Sequence, residues 1–279
     1  MHIRTRVTLG MVLAVGLIAG GYSYWNNSRG TAGAVSSAGP PVSADLLKAS
    51  AASTQNEGTV AFTVTMSVKG TPLGDQTVTG HGAADFAQQQ ATFDGQLLGT
   101  PFTSVLDNTT VYIQSALLGP GWYRLDPATL GKASASAPFV LPISSPAQAF
   151  DLLKSVSDNV QLVGQETIGG VQTTHYRATV DLNTAAATLG SHETVPAGQS
   201  TVPVDAWVDG QGLIAQVTID YTGAALGMGS TGASEVSLTI DCSGYGQPVS
   251  ITVPPAGDVK DFSQSTLGAF VGSFGGPAH

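Results

Sequence analysis

The stretch Val163–Leu182, VGQETIGGVQTTHYRATVDL, decides the reading of the fold. Two alternating runs flank Gly169-Gly170, and a Gly-Gly pair between such runs predicts a β-hairpin. The second arm divides into two faces. Thr174, Tyr176, Ala178, Val180 and Leu182 fall on one side, and Thr173, His175, Arg177, Thr179 and Asp181 on the other. Side chains alternate along a strand, so this arm belongs to a sheet with one wet face and one face that covers apolar material.

The same period extends outward. Val60, Phe62, Val64, Met66 and Val68 interleave with Thr59, Ala61, Thr63, Thr65 and Ser67. A strand over Gln76–Phe86 sets Val78, Gly80, Gly82, Ala84 and Phe86 on one side, and its glycines point to strong curvature or open space above the sheet. Short strands over Ala91–Leu97, Phe102–Leu106, Thr110–Ile113 and Trp122–Leu125 continue an antiparallel meander. Val204 to Val208, Leu213 to Tyr221 and Val236 to Cys242 give three more. Ser43 is an N-cap, with Asp45 in the first turn, for a helix to about Gln55. Ser145-Pro-Ala-Gln148 is a capping box for a second helix, with Ala149, Phe150, Leu153 and Val156 as its apolar stripe. A third short helix fits Asn183–Leu189. The tail beyond Val259 is weakly amphipathic. About ten strands are too many to stay flat, and so few helices pack on one face of a curled sheet.

The composition agrees: 10% charged residues, 35 Gly and 15 Pro in 279 residues. Arg4, Arg6 and Arg29 are among the 10 basic residues, which leaves 7 basic against 19 acidic beyond residue 30, a net charge of −12. Such a body repels phosphate backbones, so nucleic-acid binding is not expected. The single cysteine, Cys242, lies on the apolar side of its strand and reads as a small buried hydrophobe.

Residues 1–25 read as a signal or anchor helix: MHIRTR, then an uncharged run from Val7 to Trp25 with Tyr22, Tyr24 and Trp25 at its far end. The rest of the chain is expected outside the cytoplasm, tethered by an uncleaved helix or released by cleavage near Ala32-Gly33-Ala34. Residues 26–42, rich in Gly, Ser, Ala and Pro, read as a flexible linker. Residues 43–262 form the domain and 263–279 a tail.

No catalytic or metal-binding set emerges. His81, His175 and His192 are far apart, and His81 and His175 read as solvated surface residues. Asp205 and Asp209 share a strand face that reads as solvated. No G-x-S-x-G occurs. Gly227-Met-Gly229-Ser-Thr-Gly232 matches G-x-G-x-x-G but has no helix after it, so it reads as a hairpin loop. A non-enzyme without cofactor is expected.

Five tracts together resemble the LppX/LprG family of actinobacterial cell-envelope lipoproteins: SADLLKASAAST (Ser43–Thr54), VYIQSALLGPGWYRLD (Val111–Asp126), the opening hairpin, VPVDAWVDGQGLIAQVTI (Val202–Ile219) and YGQPVSITVPPAGDV (Tyr245–Val259). The resemblance implies an α+β fold like the LolA and LolB carriers: a strongly curved antiparallel half-barrel sheet over two or three helices, with a hydrophobic cavity between. It implies a carrier that holds acylated lipids or glycolipids and moves them through the envelope. The membrane, through the N-terminal helix, and an envelope transporter are the other expected partners, and a monomer is expected. Leu17-Ile18-Ala19-Gly20 resembles the residues before a lipidated cysteine, but Gly21 stands where that cysteine would be. On the apolar faces, Phe62, Val64, Met66, Phe86, Phe93 and Tyr112 are expected to line the cavity or adjoin it. Phe150, Leu153, Val180, Ile219 and Leu238 complete that set. The alternative is an envelope scaffold module with a filled core that binds a protein partner.

Overall fold

A computed structural model describes residues 41–70, 75–97, 99–116, 118–125, 146–157, 159–188, 201–222 and 235–261. The leader, residues 26–40 of the linker, the glycine-rich loop at 227–232, His192, Ser145 and the tail from 262 lie outside these residues.

The elements run β1 (Pro41–Val42), α1 (Ala44–Asn56), β2 (Thr59–Lys69), β3 (Gln76–Asp85), β4 (Gln90–Leu97), β5 (Thr100–Asp107), β6 (Thr110–Ser115) and β7 (Trp122–Leu125). Then come α2 (Pro146–Leu153), β8 (Val160–Ile168), β9 (Val171–Asp181), α3 (Leu182–Thr188), β10 (Thr201–Asp209), β11 (Ile214–Thr222), β12 (Glu235–Ser243) and β13 (Val259–Asp261). The strands form one sheet in the order β1-β8-β9-β10-β11-β12-β2-β3-β4-β5-β6-β7-β13. It consists of two antiparallel meanders, β2 to β7 and β8 to β12, joined where β12 pairs with β2. Its ends, β1 and β13, are not neighbours, so the sheet is open and curved.

The hairpin that opened the sequence reading is β8–β9. Gly169 and Gly170 have φ of +57° and +85°, the left-handed values a two-residue connection between strands asks for. The strand total exceeds the expected ten. Two of the additions are short end strands. Pro41–Val42, read as the end of a linker, pairs with Gln161 and Val160 of β8. Val259–Asp261 pairs with β7, in the sheet's only parallel contact among the described residues. An Arg124–Asp261 ion pair at 2.6 Å and a bond from Lys260 Nζ to the Pro120 carbonyl, also 2.6 Å, hold that strand. Neither two- nor three-residue strand is long enough to show a period.

Helix α1 begins as its sequence predicts, with Asp45 N donating to the Ser43 hydroxyl at 3.2 Å. Its buried side is Ala44, Leu47, Ser50, Ala51 and Thr54. Thr54 Oγ1 donates to the Ser50 carbonyl and accepts from Ile214 N at 2.9 Å, which ties α1 to the start of β11. Gln55 Nε2 donates to Ala147 O and Asp151 Oδ1, and Lys154 Nζ donates to Gln55 Oε1, which ties α1 to α2. Phe150 of α2 meets Phe86, just past β3, with ring centroids 5.9 Å apart.

Gly82 of β3 does not leave empty space. A Cβ on Gly82 would stand 2.1 Å from the Thr92 carbonyl oxygen and 2.7 Å from Cζ of Phe62, because the Phe62 ring lies over it. Gly95 of β4 likewise seats Phe93 and Phe102, whose rings meet edge to face at 5.4 Å. Large rings on neighbouring strands use the volume that glycine gives up. Gly82→Ala is expected to destabilise the fold by about 2–3 kcal/mol in chemical denaturation, because backbone as well as ring must move. A change within about 0.5 kcal/mol would show that the ring does not rest there.

Candidate functional site

Register places the apolar positions of both meanders on one face. Met66 is level with Val78 on one side and with Leu238 and Ile219 on the other. Val204 and Ala178 continue that row across β10 and β9. The next rows carry Val64 with Ile240 and Val217, and Phe62 with Cys242. On the other wing Phe93, Ser104, Ile113 and Tyr123 form one row, with Phe102 and Ser115 beside it. This face is buried from β8 to β7, and α1, α2 and α3 pack on it.

Of the residues expected at a cavity, Phe62, Val64, Met66, Phe93, Val180, Ile219 and Leu238 are buried on this face, and Phe150 and Leu153 of α2 are fully buried with them. Phe86 is partly buried against the same core. Tyr112 does not belong to the set. On β6 it is Val111, Ile113 and Ser115 that point inward, so Tyr112 stands on the convex face, level with Val105 and Arg124. Alternation along β6 decides its side. Phe102, Ile113, Tyr123 and Leu125 were not singled out from sequence, although their alternation carries the signal.

The convex face differs from expectation at β8–β10. His175, read as a solvated residue, is only 5% exposed. Its Nδ1 lies 2.8 Å from Glu166 Oε1 and its Nε2 lies 2.6 Å from Asp205 Oδ1. Carboxylates only accept, so both contacts are filled when both ring nitrogens carry hydrogen. The ring stacks on Trp207 at 4.2 Å, and Trp207 Nε1 donates to Glu166 Oε2 at 3.0 Å. Arg177 Nε donates to Asp205 Oδ1 at 2.9 Å. Asp205, also expected to be solvated, is 9% exposed. These side chains cover one another, which buries His175, Asp205 and Trp207 on a polar face. Counting back from the glycine turn would have set Glu166 one pair diagonal to His175. The two carboxylates hold opposite edges of the ring and so cannot converge on one ion. Asp209 instead accepts from Gln211 N and Leu213 N in the β10–β11 turn, and His81 is exposed as expected.

Burial acts on two neighbouring groups of β12. Cys242 is buried, and burial, followed by the nearby Asp241 charge, pushes its thiol up out of the reactive range. Asp241, on the convex side of β12, is held above the usual carboxylate range by burial, which outweighs the bonds donated by Gln216 Nε2 and Thr63 Oγ1.

No family model matches the chain. The chain is 32% identical over 160 residues, 52% of its length, to an uncharacterized 31.2 kDa protein of Streptomyces griseus. It is 31% identical over 121 residues, 43% of its length, to a provisionally named lipoprotein of Streptomyces coelicolor. These matches span 50% and 34% of the two relatives' own lengths.

Among solved structures the chain is similar to LprF from Mycobacterium bovis, at 16% identity and a TM-score of 0.48, over 78% of this chain and 99% of that one. It is also similar to the lipoprotein LppX from Mycobacterium tuberculosis, at 19% identity and a TM-score of 0.44, over 75% and 99%.

A carboxyl raised in the fold favours the folded state most when protonated, and that contribution is lost as pH rises through the raised value. Asp241→Asn is therefore expected to be more stable than the native chain at neutral pH, by a few tenths of a kcal/mol after solvent screening. The two are expected to converge below about pH 4. Denaturation midpoints measured across pH check this; a variant less stable at neutral pH would contradict it.

Proposed function

We propose that this chain is an exported cell-envelope carrier that binds acylated lipids or glycolipids between its concave sheet face and its helices, and transports them without catalysis. One observation carries the reading: the apolar face is larger than the described helices. The eleven strands from β8 to β7, at about 4.8 Å spacing, extend roughly 48 Å. The helices have 13, 8 and 7 residues and are roughly 20, 12 and 10 Å long. Acyl chains are a natural complement to such a surface, since each buried methylene contributes about 0.8 kcal/mol and needs no charged partner. The lipoprotein name of one Streptomyces relative and the five sequence tracts support an envelope location.

The alternative, a scaffold module with a filled core, is favoured by the Phe62, Phe93 and Phe102 rings seated over Gly82 and Gly95. Mass spectrometry of organic extracts from the purified chain separates the two. Diacyl or triacyl lipids in stoichiometric amount support the carrier, and a blank supports the scaffold.

Met66→Trp is expected to lower lipid loading several-fold while destabilising the fold by only about 1–3 kcal/mol, because the larger ring projects from the middle of the concave face. Unchanged loading with a collapsed fold would show that Met66 is packed core.

A further inference from the structure

The concave face carries a hydroxyl that apolar packing does not explain. Ser104 sits in the middle of β5, between Phe93 of β4 and Ile113 of β6, and is 1% exposed. Its Oγ has no hydrogen-bond partner.

Three other buried hydroxyls in the described interior are paired. Thr54 donates to Ser50 O and accepts from Ile214 N. Ser115, on the same concave face, donates to the Pro101 carbonyl. Thr173 donates to the Glu166 carbonyl. Among the described residues Ser104 Oγ is the one buried side-chain nitrogen or oxygen left unpaired.

An unmet hydroxyl in apolar surroundings destabilises the fold, and alanine would fill nearly the same volume without that cost. The neighbours on its own strand, Phe102 and Leu106, are apolar. The unpaired donor therefore belongs to a state in which something on the concave face accepts from it.

We infer that Ser104 reads an ester linkage in the bound ligand: its Oγ–H donates to an acyl-ester carbonyl, which sets the depth at which the linkage lies between the β4 and β6 side chains. The inference rests on the carrier reading and narrows it. The ligand's hydrocarbon tails supply affinity through burial, and the hydroxyl selects ester-linked chains over ether-linked ones, which have no carbonyl to offer. No bond is made or broken: among the described residues the strand neighbours of Ser104 on this face are Phe93 and Ile113, neither of which is a base.

The test uses the delipidated full chain and two probes, dioleoylglycerol and its dioleyl ether analogue, with native chain and Ser104→Ala compared by displacement of a fluorescent fatty acid. The native chain is expected to bind the ester probe roughly tenfold more tightly than the ether probe, the value of one hydrogen bond that relieves a buried donor. In Ser104→Ala the ratio is expected to fall to about one, with ether affinity unchanged and the thermal midpoint of the unliganded protein equal or higher. Equal affinities in the native chain, or a preference that survives Ser104→Ala, would overturn the inference and leave the carrier reading standing. Binding of neither probe by the native chain would remove the carrier reading, and the inference with it.

Discussion

The pairing of β12 with β2 is the constraint on which the rest of the structure depends. It runs in one unbroken register from Glu235 opposite Lys69 to Ser243 opposite Ala61, and it joins residues more than 150 positions apart in sequence. Without it there are two separate meanders, each with an apolar side and too few helices to cover it. With it, Phe62, Val64, Met66 and Val68 stand beside Cys242, Ile240, Leu238 and Val236, and two half-faces become one. A slip of one residue would turn a whole strand's apolar set to solvent, so burial itself holds the register.

The two faces of this sheet solve different problems. On the concave side, the wing from β3 to β7 packs rings into glycine positions, while α1 and α2 are bound to each other and to the start of β11 by Thr54, Gln55 and Lys154. On the convex side, the threonine and serine rows of β2, β11 and β12 are half-buried or buried, and at β8–β10 Glu166, His175, Asp205, Arg177 and Trp207 interlock. Each member of that group satisfies another, so a histidine is buried there among polar partners. It braces the outer hairpin β8–β9 to β10.

Much of this was legible in the sequence because period two is a strong signal over long strands. The β2 alternation, the Gly169-Gly170 hairpin and the Ser43 cap all stand where the residues set them. What escaped depends on partners that alternation does not specify. Gly82 looked like a gap because the ring that fills it belongs to Phe62 on the next strand. Asp205 looked solvated because its cover comes from β9, thirty residues away. Tyr112 was set on the apolar face, although alternation with Val111 and Ile113 gives that side to them. Which concave residues touch a ligand and which touch only one another was not legible at all, since both roles select the same apolar side chains.

The central claim is that the joined concave face shelters acyl chains. Anomalous diffraction from crystals of the chain loaded with a brominated fatty acyl ester tests it most directly. The account predicts bromine peaks over the concave strands, between the helices and the row that holds Met66, Leu238 and Ile219. Bromine confined to the outer surface, with the concave side chains packed against one another, would contradict it.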